Sequence, residues 1–177
     1  FGFWENWQFC YGSRNVQLQD KRKNRVHKSL PGDVYSEIVE KYNLREKLNY
    51  GEVLYGEIYG DGIQKGYTYG CKRGEHKLVV FDIAYIGNCT RFLNPIESAN
   101  LCLMKGLKPV PILYCGEFRG LNHLGLFVSG RSVLCPDQKV REGIVVRPNQ
   151  SFIRGKASRV LKWINEDYLI KDNTDWH

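Results

Sequence analysis

The chain has no apolar run approaching the roughly 18 residues that a helix needs to cross a bilayer. Its opening, FGFWENWQF, has no basic segment ahead of an apolar one and so does not read as a secretory signal. No two of its six cysteines (Cys10, Cys71, Cys89, Cys102, Cys115, Cys135) form a Cys-x-x-Cys pair, and no histidine stands at zinc-finger spacing from them. That spacing argues against a structural zinc site and predicts reduced, mostly buried thiols. Internal repeats, low-complexity tracts and linkers are also lacking, which argues against a solenoid, a disordered tail or a multidomain array. The expectation is a soluble protein with no membrane partner.

What remains is an ordinary globular composition. The 177 residues are 42% hydrophobic and 25% charged, enough for one domain with a real core. A net charge of +7 favours polyanionic partners, nucleic acid first. The densest basic run is Lys21-Arg22-Lys23-Asn24-Arg25, followed by His27 and Lys28. Such a run is ordinarily a solvated loop, and it becomes a phosphate-contact candidate only if other segments point to nucleic acid.

Residues 1–12 alternate aromatic and polar positions, which predicts a strand or hairpin ending at Ser13-Arg14-Asn15. Asp33 is a candidate N-cap for a helix through Val34, Ile38, Val39 and Tyr42 to about Leu48. Glu52–Tyr59 reads as a strand broken by Gly60-Asp61-Gly62, and Tyr67–Tyr69 as a short strand. Lys77–Tyr85 is predicted as a buried strand, Pro95–Lys105 as a helix stopped by Gly106, and Val110–Tyr114 as a strand. A short helix is expected within 116–137, strands over Glu142–Arg147 and Arg159–Ile164, and a helical turn at Glu166–Leu169. This is an α+β pattern of mixed, mainly antiparallel sheets with few helices.

Two strands carry a carboxylate where chemistry could use it. In YGEIYG, alternation turns Glu57 away from Ile58, so Glu57 can face a cleft while Ile58 faces the core. The flanking Gly56 and Gly60 would let a ligand approach the backbone. In REGIVVRP (141–148), alternation puts Glu142, Ile144 and Val146 on one face and Arg141, Gly143, Val145 and Arg147 on the other. A carboxylate at that strand's start suits a divalent cation such as magnesium bridging to phosphates. Taken alone, either glutamate reads first as a surface charge at a strand end and only second as a ligand. Lys162 in VLKWI is a lysine that snorkels at a sheet edge or one that neutralises a phosphate. Phe81 in VVFDI is a core residue by default and a nucleobase platform in the alternative.

Taken in order, SRN, YGEIYG, VVFDI, REGIVVRP and RVLKWIN resemble the motif series of the covalent nucleotidyltransferases. Within them the chain is most similar to the ATP-dependent RNA ligases of the RNA ligase 2-like and Deinococcus-type groups. NPIESANLCLMKGLKPVPILYCG is similar to their helix, "GL" turn and strand, so the resemblance covers nearly all of residues 1–177. It implies the nucleotidyltransferase (ATP-grasp-like) fold. It also implies ATP with Mg2+ or Mn2+ as cofactors and RNA ends, in a nicked duplex or a tRNA, as partners. A monomer acting in RNA repair in the cytoplasm of a bacterium or phage-infected host is expected. In the family a lysine attacks the α-phosphate of ATP, and the adenylate passes to an RNA 5′-phosphate. A 3′-hydroxyl then seals the strand. Carried over, Arg14 would contact the adenylate or the RNA end, and Glu57 the ribose. Phe81 would stack on adenine, Glu142 would hold the metal, and Lys162 would contact the α-phosphate. Lys21, Arg22, Lys23 and Arg25 would then meet RNA phosphates. The second basic position that the family often places two residues after Lys162 is Ile164 here.

One family feature is missing. No Lys-x-Asp-Gly occurs, and Tyr59 stands two residues before Asp61-Gly62. The expectation is an adenylyltransferase domain over 1–177 that lacks the N-terminal segment with the nucleophile and any C-terminal accessory domain. Such a chain would be inactive in self-adenylylation. Three rivals stay open: a DNA ligase core, a capping-enzyme core, and a non-catalytic homologue that binds nucleotide or RNA.

Overall fold

The computed structural model of the chain describes residues 1–6, 8–13, 17–19, 33–64, 67–136, 138–153 and 160–169. They fall into two compact units, Phe1–Val110 with Gln150–Lys156, and Pro111–Asn149 with Ala157–His177.

The first unit is a seven-stranded antiparallel sheet. Its strands are β1 (Gly2–Glu5), β2 (Gln8–Gly12), β3 (Gln17–Gln19), β4 (Glu52–Gly60), β5 (His76–Ile86), β6 (Thr90–Phe92) and β8 (Phe152–Ile153), in the order β3-β2-β1-β4-β5-β6-β8. The aromatic alternation of residues 1–12 becomes the β1–β2 hairpin. Helices α1 (Val34–Lys41), α2 (Leu44–Lys47) and α3 (Pro95–Met104) supply the other side of the core. Ile38, Leu44 and Cys102 from the helices meet Phe9, Leu54 and Ile83 from the sheet. The Trp4 indole N–H donates to the carbonyls of Arg45 and Leu48, tying β1 to the α2 turn.

Local chemistry sets the helix limits. The Asp33 carboxylate accepts the N–H groups of Tyr35 and Ser36 and starts α1. The helix expected to reach Leu48 instead breaks at Asn43, which takes the left-handed conformation (φ 49°), and α2 restarts after it. Asparagine tolerates that region better than most residues. At α3, Asn94 and Glu97 form a reciprocal capping box with Pro95 in the first turn, and Gly106 (φ +64°) follows the helix.

Two expected strands are not formed. Pro109 makes a single parallel bridge to Val80, flanked by bonds from Val80 N–H to Lys108 O and from Val110 N–H to Val80 O. Pro111 has no N–H to continue that ladder, so 110–114 runs on without strand pairing. Near Tyr67 only one bridge forms, to Gln64, and Tyr69 turns the chain away with φ 50°.

The second unit contains α4 (Leu121–Val128) and a two-stranded ribbon of β7 (Gly143–Val146) and β9 (Leu161–Ile164). Gly125 of α4 lies against the Trp163 ring of β9, whose Cη2 would be in ordinary contact, at 3.8 Å, with an added Cβ. Residues 166–169 are helical, as expected, with Asp167 N–H bonded to the Asn165 side chain.

Candidate functional site

The sequence-predicted residues fall into one group in each unit. On the sheet, Glu57 is exposed while Ile58 packs against the core, as strand alternation requires. Phe81 owes its position to an irregularity. The β4–β5 register steps from Tyr55↔Asp82 to Gly56↔Val80, so Phe81 is the extra residue of a β-bulge. Its ring is 44% exposed and is not part of the core, unlike its neighbours Val80 and Ile83. Glu57, opposite Val79, lies within two residues of that bulge.

The flanking glycines have a different purpose from the one expected. A Cβ on Gly56 would lie 2.8 Å from both Leu78 Cδ1 and the Val79 carbonyl, and one on Gly60 would lie 2.2 Å from the Glu75 carbonyl. Both are occupied by close packing of β4 on β5 rather than left open to a ligand.

On the ribbon, Val145 pairs with Lys162 and Gly143 with Ile164. Strict alternation would turn Glu142 away from the Lys162 face. The structure instead has the Lys162 ammonium donating to Glu142 Oε1 at 2.5 Å, with both side chains partly exposed. Gly143 explains this. Its φ of +146° departs from strand geometry at the start of β7, and a Cβ there would meet the Trp163 carbonyl at 2.1 Å. Only glycine fits, and the turn it allows brings Glu142 to Lys162.

Sequence reasoning passed over Asn165. This buried residue donates its side-chain N–H to the Arg141 carbonyl (3.0 Å) and its backbone N–H to the Glu142 carbonyl (2.8 Å). It thus fixes the backbone on which Glu142 is mounted. A buried asparagine directly after a strand was the available signal. Arg141 is held away from ligand duty by bonds from its guanidinium to the Phe127 and Arg131 carbonyls. Tyr55, two residues before Glu57 on β4, packs at a tilt against Phe92 with ring centroids 5.4 Å apart and was also passed over. Arg14, Lys21, Arg22, Lys23 and Arg25 lie outside the described residues.

Among the described residues no cluster of three or more His, Cys, Asp or Glu could hold a metal alone, and no helix is long and apolar enough to cross a membrane. A single carboxylate such as Glu142 still fits a hard divalent cation that takes its other oxygens from phosphates and water.

Antiparallel sheets with few helices, in a nucleotidyltransferase fold, define the class of this chain. The RNA ligase family pattern matches residues 5–164, and the chain belongs to that family. A solved structure of a Naegleria gruberi RNA ligase variant with ATP and Mn is similar at a TM-score of 0.75 and 24% identity, covering 97% of this chain and 47% of that one. A further variant of that ligase, with AMP and Mn, matches at 0.72 and 24% identity over 96% of this chain. The chain thus spans about half the length of the solved proteins it matches. No curated protein sequence matches it.

Proposed function

We propose that these residues form the nucleotide-handling core of an ATP-dependent RNA ligase that joins an RNA 3′-hydroxyl to a 5′-phosphate in RNA repair. The reading rests on membership of the RNA ligase family. The observation that carries the site assignment is the Phe81 bulge beside Glu57. A half-exposed aromatic displaced from strand register, next to a carboxylate, has the chemistry to stack a base and accept ribose hydroxyl protons. On the second unit, the Glu142–Lys162 pair offers a carboxylate suited to a cation and an ammonium suited to a phosphate oxygen.

A bound Mg2+ or Mn2+ would supply charge neutralisation at the phosphates. The chain's own residues do the rest. Phe81 and Glu57 orient the nucleoside, and Glu142 presents its oxygens from a backbone pinned by Asn165. Lys162, released from Glu142, balances charge on the α-phosphate. Covalent transfer needs a lysine in Lys-x-Asp-Gly, which these 177 residues do not supply. The ligase–adenylate and RNA–adenylate intermediates therefore belong to this proposal only together with such a lysine. The second reading is a homologue that binds nucleotide and RNA without joining ends.

The test is to incubate the 177-residue chain with labelled ATP and Mn2+, measuring binding at equilibrium and label retained after denaturation. Saturable binding without retained label is expected. Absence of binding would overturn the nucleotide role of Glu57 and Phe81. Retained covalent label would place the nucleophile among the chain's own lysines and overturn the assigned division of labour. Addition of a segment bearing Lys-x-Asp-Gly should confer labelling and sealing if the chain is a ligase core. Binding without either would favour the non-catalytic reading.

A further inference from the structure

We propose a second binding surface, a platform for a nucleobase and phosphate of single-stranded RNA formed by Tyr85 and Arg91. The inference rests on the RNA ligase reading for its partner class.

Tyr85 and Arg91 are directly opposite across β5 and β6, and Glu52 of β4 is opposite Tyr85 on its other side. Three adjacent strands thus present an acid, an aromatic ring and a guanidinium in one row. The Tyr85 hydroxyl donates to Glu52 Oε1 at 3.4 Å. Glu52 is buried and held by the Lys105 ammonium at 2.7 Å and the Asn49 N–H at 2.9 Å. The ring therefore stands on a fixed, charge-compensated base yet is 39% exposed. Burial, with the Glu52 carboxylate, raises the phenol above its ordinary range, so it stays a donor. Glu97 of α3, whose charge also reaches the ring, accepts the Asn94 N–H and the Ser151 hydroxyl.

Arg91 is exposed, with no carboxylate partner among the described residues. An anchored aromatic ring beside an exposed guanidinium matches how proteins hold unstacked RNA, the base on the ring and the cation on phosphate or a base face. A protein partner would gain little from a lone ring and cation on a chain of net charge +7. An RNA strand uses both.

Strand parity puts this row on the face of β4 opposite Glu57, because Glu52 and Glu57 are five residues apart and the bulge lies in β5. The platform is therefore separate from the nucleotide-handling residues of that sheet.

The experiment titrates the 177-residue chain into a short fluorescent single-stranded RNA, for the unchanged protein, Tyr85→Ala, Tyr85→Phe and Arg91→Gln. Tyr85→Ala is expected to weaken binding roughly fivefold or more, the loss of one stacked base. Tyr85→Phe, which keeps the ring, should lose less. Arg91→Gln should lower affinity and reduce the salt dependence by about one phosphate contact. Equilibrium ATP binding, measured in parallel, should stay unchanged and reports that each variant is folded. RNA binding by all four proteins alike overturns the platform, leaves the ligase reading standing and assigns the row to another partner class. Failure of the unchanged chain to bind RNA overturns both.

Discussion

Glu52 shows how a single buried carboxylate is made tolerable. Burial alone would raise its pKa, but hydrogen bonds from Lys105 and the Asn49 N–H outweigh that and hold it below its ordinary 4.5. A carboxyl lowered on folding adds stability that is fully present above its unfolded value and is lost as pH falls through the folded one. Chemical denaturation between pH 3 and pH 7 should therefore show stability falling below about pH 4.5. Glu52→Gln should flatten that fall while lowering stability at neutral pH. Phe81 makes the contrasting case, because its ring is half-exposed. Phe81→Ala should change stability by no more than about 0.5 kcal/mol. ATP binding, followed by calorimetry with Mn2+, should weaken by about tenfold, equivalent to roughly 1 to 1.5 kcal/mol of lost stacking. Equal ATP affinity would return Phe81 to a structural role. Nothing in VVFDI distinguishes the bulged residue from its buried neighbours, because the register step is created by pairing with β4.

At the scale of elements, the β7–β9 ribbon depends on Gly143 and Asn165. Gly143→Ala drives a Cβ into the Trp163 carbonyl in a backbone region disfavoured by side chains, and should cost more than about 1 kcal/mol. Asn165→Ala leaves the Arg141 carbonyl without its side-chain donor and should cost about 1 to 3 kcal/mol. Hydrogen exchange should rise first in the β7 and β9 amides for both variants, and unchanged protection there would deny the ribbon its pins. Strands and helix limits with strong local signals were legible: the β1–β2 alternation, the Asp33 cap, and the start of α3 at Pro95 with its stop at Gly106. The break at Asn43 and the missing strand after Pro109 were not. The first turns on a left-handed asparagine, the second on a proline that removes a donor from an otherwise apolar, strand-like run. The short strands β3, β6 and β8 are set by pairing partners rather than by their own composition. For the candidate site, the motifs marked Glu57, Phe81, Glu142 and Lys162, but alternation alone turned Glu142 away from Lys162 because Gly143 breaks the pleat.

For the whole molecule, the net charge of +7 makes a prediction independent of any one site. If RNA is the partner, log affinity should fall linearly with log salt, by about 0.7 per phosphate contacted on a single strand. Lys21, Arg22, Lys23 and Arg25 hold four of those charges in one run. Replacing all four with glutamine should reduce the slope by up to about three if each meets a phosphate. A solvated basic loop would instead leave the slope nearly unchanged. Combining that variant with Arg91→Gln tests whether the two contribute separately, because losses from independent contacts add. A combined slope change equal to the sum would mean that one strand engages both regions. A combined change no larger than that of the basic run alone would leave that run as the chain's electrostatic contact with RNA and remove Arg91 from the path.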